Sequence, residues 1–345
     1  MAPFITNPYR FAGAGSVGGW KELARTTLGS TSSSITVSSI PDKRYYMVLQ
    51  NDLASGNVNW NFRVGNGSID PLSNYSDRHS TNGGSDTIST NANRIGDVLG
   101  NQPHDRFGVM YFANLASKEK LMQGHIMDYG ATGAGIAPDR LEIVGKWTNT
   151  SNVIDTVQLL DDGTDKMGIG SQLVVLGWDP ADTHTNNFWE ELASVNASGS
   201  STVLSSGTIT AKKYLWIQCY SEGTSGDIWT DFNNDNNPNY ARRYSIDGGP
   251  EQTNGSLTAL SNFHNAGRAG QEAFSNWFII NNQSNEKLII CHSIQQNTSG
   301  AAFAPNRLEI VGKWANTTNQ ITEIDFDSKS GNFGSNSILK VWGAD

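Results

Sequence analysis

"RLEIVGKW" stands at residues 140–147 and returns, letter for letter, at 307–314. An identity of eight residues is far beyond chance in a chain of 345, so it points to duplication. The two occurrences lie 167 residues apart, too far for a solenoid repeat and about right for a domain. The match extends outward. "APDRLEIVGKWTNTSN" (137–152) parallels "APNRLEIVGKWANTTN" (304–319), and "EKLMQGH" (119–125) parallels "EKLIICH" (286–292). Upstream, "NYSDRHSTNGG" (74–84) parallels "NYARRYSIDGG" (239–249), and "GWKELA" (19–24) parallels "FWEELA" (188–193). These limits divide the chain into an N-terminal arm, 1–18, a first domain, 19–179, a polar joint, 180–187, and a second domain, 188–345.

Inside each copy the apolar residues alternate or form short runs between turn residues, which is the signature of strands. Segments 34–40, 44–50, 58–64, 107–113, 120–127, 141–147, 153–160 and 171–178 read as strands in the first copy, each with a counterpart in the second. "WKELARTTL" (20–28) reads as a first strand or a helical turn, with the strand favoured. Leu141, Ile143 and Trp147 then share one face with Gly145 among them, while Glu142 and Lys146 point the other way. That is a core strand, with glycine where a neighbour packs close or a bulge forms. The fold class is all-β: two tandem antiparallel jelly-roll-like β-sandwich domains arising from internal duplication.

Composition narrows the function. A net charge of −9 and the lack of a basic stripe argue against nucleic acid. No apolar run is long enough to span a membrane. The opening "MAPFITNPYRFAGAG" lacks the basic and apolar regions of a signal peptide. Cys219 and Cys291 occur only in the second copy, opposite Gln50 and Gly124 in the first, so the fold is expected to need no disulfide.

No catalytic motif appears. His125 and His292 align but lack a nucleophile, and Glu142, Glu309, Glu119 and Glu286 read as solvated strand positions. The Asp/Asn-rich loops 161–166, 231–239 and 325–332 lack EF-hand spacing and read as polar turns, so neither metal nor cofactor is expected. The repeated Asn-Tyr-x-x-Arg motif offers a turn with an aromatic and a guanidinium close together. Tyr75 with Arg78, and Tyr240 with Arg243, are therefore the candidate ligand-binding pairs, against a structural role pinning a loop. The arm carries Phe4, Tyr9, Arg10 and Phe11 beside Pro3 and Pro8, has no counterpart before the second copy, and reads as a docking element.

The order of these elements resembles a β-sandwich domain common in virion proteins of tailed bacteriophages, marine ones especially. The resemblance rests on Trp20–Leu23, "ITVSSIP" (35–41), "KRYYMVLQ" (43–50), Asn74–Arg78, "RLEIVGKW" and the closing segment 168–178, and on their equivalents in copy two. It implies a non-enzymatic structural protein exposed on the particle, as a capsid decoration or a tail-associated fibre or adhesin. Its partners would be other virion proteins, further copies of itself, and a host-surface glycan. It would be assembled in the host cytoplasm and released by lysis. A lectin-like carbohydrate-binding module and a double jelly-roll shell protein are the alternatives.

Overall fold

The computed structural model describes residues 19–161, 166–180, 182, 187–263 and 271–345, so the arm with Phe4, Tyr9, Arg10 and Phe11 lies outside the described residues. The described residues form strands and turns in two sandwich-like halves. In the first, an eight-stranded antiparallel sheet runs in space as β1 (Lys21–Thr27), β13 (Gln172–Trp178), β3 (Tyr45–Asp52), β9 (Arg106–Ala113), β10 (Lys120–Asp128), β11 (Asp139–Trp147), β6 (Tyr75–Thr81) and β7 (Thr87–Ala92). Its partner sheet is β2 (Ser34–Val37), β12 (Thr156–Leu160), β4 (Val58–Asn66) and β5 (Ser68–Ile69), with β8 (Ile95–Gln102) also paired to β4.

The second half repeats this order. Its large sheet is β14 (Glu190–Asn196), β25 (Ile338–Ala344), β16 (Tyr214–Ser221), β21 (Ala273–Ile280), β22 (Lys287–Gln295), β23 (Asn306–Trp314), β18 (Tyr240–Ile246) and β19 (Gln252–Leu257). The smaller is β15 (Val203–Ser205), β24 (Ile324–Ser328), β17 (Ile228–Phe232) and β20 (Leu260–Phe263). Two tandem β-sandwiches of one topology are the architecture.

The octapeptide is the strand on which each core closes. Leu141, Ile143 and Trp147 face inward and are buried, as are Leu308, Ile310 and Trp314. The glycine has a packing cause: a Cβ on Gly145 would stand 3.0 Å from the side chain of Ile95, and one on Gly312 3.0 Å from that of Leu260. Strands β8 and β20 cross at these points.

Around each tryptophan the same node is built. The Trp147 indole donates to Asp70 Oδ2 at 2.8 Å and the Asn74 amide to the same oxygen at 2.8 Å. In the second copy Trp314 and Asn239 meet Asp235 Oδ2 at 2.7 and 2.8 Å. Burial raises the pKa of both acids. The hydrogen bonds from Trp147, Asn74 and the Leu72 backbone outweigh it at Asp70, and those from Asn239, Trp314 and Asn237 at Asp235, so both end below the ordinary carboxylate value.

A buried lysine completes each node. The Lys120 ammonium lies 5.6 Å from the Trp147 ring centre and donates to the carbonyls of Ala116, Lys118 and Asn149. Lys287 does the same with Trp314, Gln283, Asn285 and Asn316, and burial pushes its pKa down to about 8. Three carbonyl dipoles and a ring face replace the water these cations leave.

The structure departs from the sequence reading in two ways. The tyrosine and arginine of the Asn-Tyr-x-x-Arg motif lie not in a turn but in strands β6 and β18; the turn that its glycines mark follows at Asn82 and Asp247, both at positive φ. The sheets follow the repeat, while the segment Gly130–Pro138 groups with Trp189–Asp345 in one compact unit. In that unit Gly133 N–H donates to Glu286 Oε1 at 2.5 Å, Arg243 Nε to the Pro138 carbonyl at 2.7 Å, and Lys313 to the Ala131 carbonyl. Glu286, read from sequence as solvated, is therefore buried and paired with Lys313 at 3.3 Å.

Truncating either tryptophan empties a large site and orphans an aspartate. Trp147→Ala and Trp314→Ala are each expected to cost about 3–5 kcal/mol, measured by chemical denaturation. A loss below about 1 kcal/mol would show that the node does not hold the sandwich.

Candidate binding groove

Alternation along the strands of the first large sheet sends two rows of side chains to its outer face. One row crosses from Tyr111 through Gln123, Val144 and Arg78 to Ile88, each residue paired to the next on the neighbouring strand. The other runs from Tyr45 through Ala113, Leu121 and Lys146 to Ser76. Together they line a groove of about 610 Å³. Its floor is apolar and open: Ile88 and Leu121 are each 57% exposed and Val144 52%.

Charges flank this floor. Arg78 pairs with Asp86 at 3.1 Å and Lys146 with Glu119 at 2.9 Å, both in solvent, where such pairs contribute little stability and exchange readily. Toward β13 the surface becomes aromatic. Tyr45 stacks on Trp178 with centroids 5.7 Å apart, and Trp20 lies 6.4 Å from Tyr111, around a second hollow of about 280 Å³ beside Gln123.

The equivalent face of the second sandwich is different. Its row runs Phe278, Ile290, Val311, Arg243, Thr253, and the first three are buried. Val144 and Val311 are the same letter of the same octapeptide, yet one is 52% exposed and the other 2%.

The residues singled out from sequence separate accordingly. Tyr75 and Tyr240 are fully buried, and their hydroxyls hold backbone: Tyr75 donates to the Val64 carbonyl at 2.7 Å, while Tyr240 accepts from the Phe232 N–H at 2.9 Å. Three residues along a strand reverses the face. Arg78 and Arg243 therefore point away from the tyrosines, and neither pair can grip one ligand. Tyr75 and Tyr240 are core pins, Arg243 holds the Pro138 carbonyl, and Arg78 alone reaches the groove. His125 stands opposite Glu142, and His292 opposite Glu309, on neighbouring strands. Cys219 and Cys291 are free, buried thiols; burial raises both, Cys291 to about 12, so neither is poised as a nucleophile.

Two acids at the starts of the Asp/Asn-rich segments 231–239 and 325–332 lie in strands and not in polar turns. Asp231 and Asp325 oppose each other on β17 and β24. Burial, then the charges of Asp325 and Asp327, raises Asp231 to about 7, and burial likewise raises Asp325. Only the register, invisible in sequence, makes them neighbours.

No family model matches this sequence, and no curated protein matches it. Among solved structures, domains LG4-5 of the mouse laminin alpha1 chain align over 99% of this chain and 93% of theirs, at 10% identity and a TM-score of 0.21. The translocator domain of the autotransporter NalP from Neisseria meningitidis aligns over 83% of this chain and 88% of its own, at 8% identity and a TM-score of 0.15. Likenesses this low carry no argument about function.

Two outcomes are expected from this geometry. Val144→Lys should change stability by no more than about 0.5 kcal/mol, whereas Val311→Lys should lower it by several-fold more, as thermal or chemical unfolding would record. Asp231 has a folded pKa above its unfolded one. Its contribution is therefore full below about pH 4 and lost as pH rises toward about 7. Asp231→Asn should flatten that decline and make the second sandwich more stable than the native chain at pH 8.

Proposed function

We propose that this chain is a non-enzymatic structural protein of a tailed-phage particle, and that its first sandwich docks on another virion protein through the apolar groove. The observation that carries the reading is the run of exposed Ile88, Leu121 and Val144 beside Tyr45 and Tyr111. Aliphatic floors exclude sugar hydroxyls but accept protein side chains, and an apolar centre with an ion-paired rim is the anatomy of a protein contact. The resemblance in sequence to phage virion domains supplies the setting, in which the protein reaches the outside of the host by lysis. In that setting the arm, with Phe4, Tyr9, Arg10 and Phe11, serves as a second attachment element, and many copies stand on one particle.

A second reading, a host-surface glycan site, is favoured by the stacked Tyr45–Trp178 pair beside the Gln123 amide. It occupies the aromatic end of the same face.

Immunogold labelling of intact particles with antibody against this chain tests the setting, and unlabelled particles would refute it. Competition between native protein and Leu121→Lys/Val144→Lys tests the groove. The variant should remain folded and be incorporated at least tenfold less; equal incorporation would remove the groove from assembly. Tyr45→Ala that keeps incorporation but abolishes attachment to host cells would favour the glycan reading.

A further inference from the structure

At one end of the first sandwich an inward-facing row of charges crosses four strands. Asp52 on β3 pairs with Arg106 on β9, Arg106 with Asp128 on β10, and Asp128 with Asp139 on β11. The same row in the second sandwich reads Ser221, Ala273, Gln295, Asn306. His104, two residues before Arg106, has Gln271 as its counterpart. Every charged or ligating member in one copy is thus neutral in the other, on the same backbone. The fold does not require these charges.

Asp128 and Asp139 stand directly opposite each other, where like charges repel, and Asp128 is fully buried. Arg106 turns toward the other end of the row: its Nη1 is 3.6 Å from Asp52, and its Nη2 donates to the Val58 carbonyl at 2.6 Å. His104 comes to the acidic pair instead. The ligating atoms of His104, Asp128 and Asp139 all lie within 4.8 Å of one another. His104 Nδ1 is 3.3 Å from Asp128 Oδ1. That is long for a charge-assisted hydrogen bond but equals the edge between two ligands of a tetrahedral centre, roughly 3.3–3.4 Å for bonds of about 2.0–2.1 Å.

The three side chains are also held from outside. The Asn82 amide donates to Asp139 Oδ1 at 2.8 Å. The Tyr129 ring lies 4.9 Å from the imidazole while its hydroxyl donates to the Pro103 carbonyl at 3.0 Å, fixing the residue before the histidine. In the second copy the acid and amide trade places, with Asn306 on the strand donating to Asp247 in the turn at 2.6 Å. The exchange keeps the strand-to-turn bond and removes the carboxylate from the strand.

We propose that His104, Asp128 and Asp139 bind one divalent transition-metal ion of the zinc or manganese class, with water completing the shell. An imidazole beside two carboxylates suits such an ion better than calcium, which takes oxygen ligands only. The ion neutralises the opposed carboxylates and ties the 103–105 segment to β10 and β11. The site is independent of the groove and of its partner, and it lies outside the Asp/Asn-rich loops.

The test is calorimetric titration of the full chain, stripped with chelator, with Zn2+ and separately with Mn2+. The expected result is one ion per chain with at least one of them, and a higher unfolding temperature in its presence. His104→Gln/Asp128→Gln/Asp139→Asn, which installs the side chains of the second sandwich, should fold and bind at least tenfold more weakly. His104→Gln alone should weaken binding likewise, and decides the matter if the triple variant does not fold. No saturable binding of either ion, or binding unchanged in these variants, would overturn the site.

Discussion

One carboxylate in each sandwich governs the rest of the fold. Asp70 and Asp235 each accept from a tryptophan indole on the octapeptide strand and from an asparagine that opens the next strand in the sheet. A lysine caps the other side of the same ring, spending its protons on three loop carbonyls. The indole is thus fixed at the point where two strands and three loops meet. With the tryptophan fixed, the inward face of its strand is set, because a slip of one residue would expose Leu141 and Ile143 and bury Glu142. The repeated Leu, Ile and Trp of the octapeptide follow from this constraint. Asparagine, aspartate, lysine and tryptophan make the same contacts in both copies.

What the node does not touch has drifted between the copies, and the surfaces with chemistry lie there. The outer face of the octapeptide strand is open in the first sandwich and buried in the second, where the 130–138 segment reaches Lys313 and Glu286. The far end of the large sheet carries Asp52, Arg106, Asp128 and Asp139 in one copy and only neutral side chains in the other. Duplication supplies the comparison: where one copy folds without a charge or an exposed apolar row, the other has that feature for a reason beyond folding.

The strand pattern was legible because alternation in short runs reports burial directly, and Leu141, Ile143 and Trp147 face the core as their spacing requires. The role of Gly145 was half legible: a close neighbour was implied, but Ile95 comes from a strand whose polar letters gave no signal. Strand β7, "TISTNA", is an exposed edge and carries no burial signal for the same reason. Tyr75 and Arg78 are close in sequence, but strand periodicity separates them onto opposite faces. The burial of Glu286 depends on a segment more than a hundred residues away, which no local pattern encodes. Asp128 and Asp139 lie on different strands, so their meeting emerges only from register. The replacement of both by amides in the second copy was the available signal.

The central claim is that the aspartate–tryptophan contact, repeated in both copies, is what the fold is built to preserve. A double-mutant cycle measures it most directly: Asp70→Asn with Trp147→Phe, and Asp235→Asn with Trp314→Phe, each followed by chemical denaturation. Coupling of about 1–3 kcal/mol in both copies, of similar size, is the predicted result. Coupling near zero, or present in one sandwich only, would contradict it.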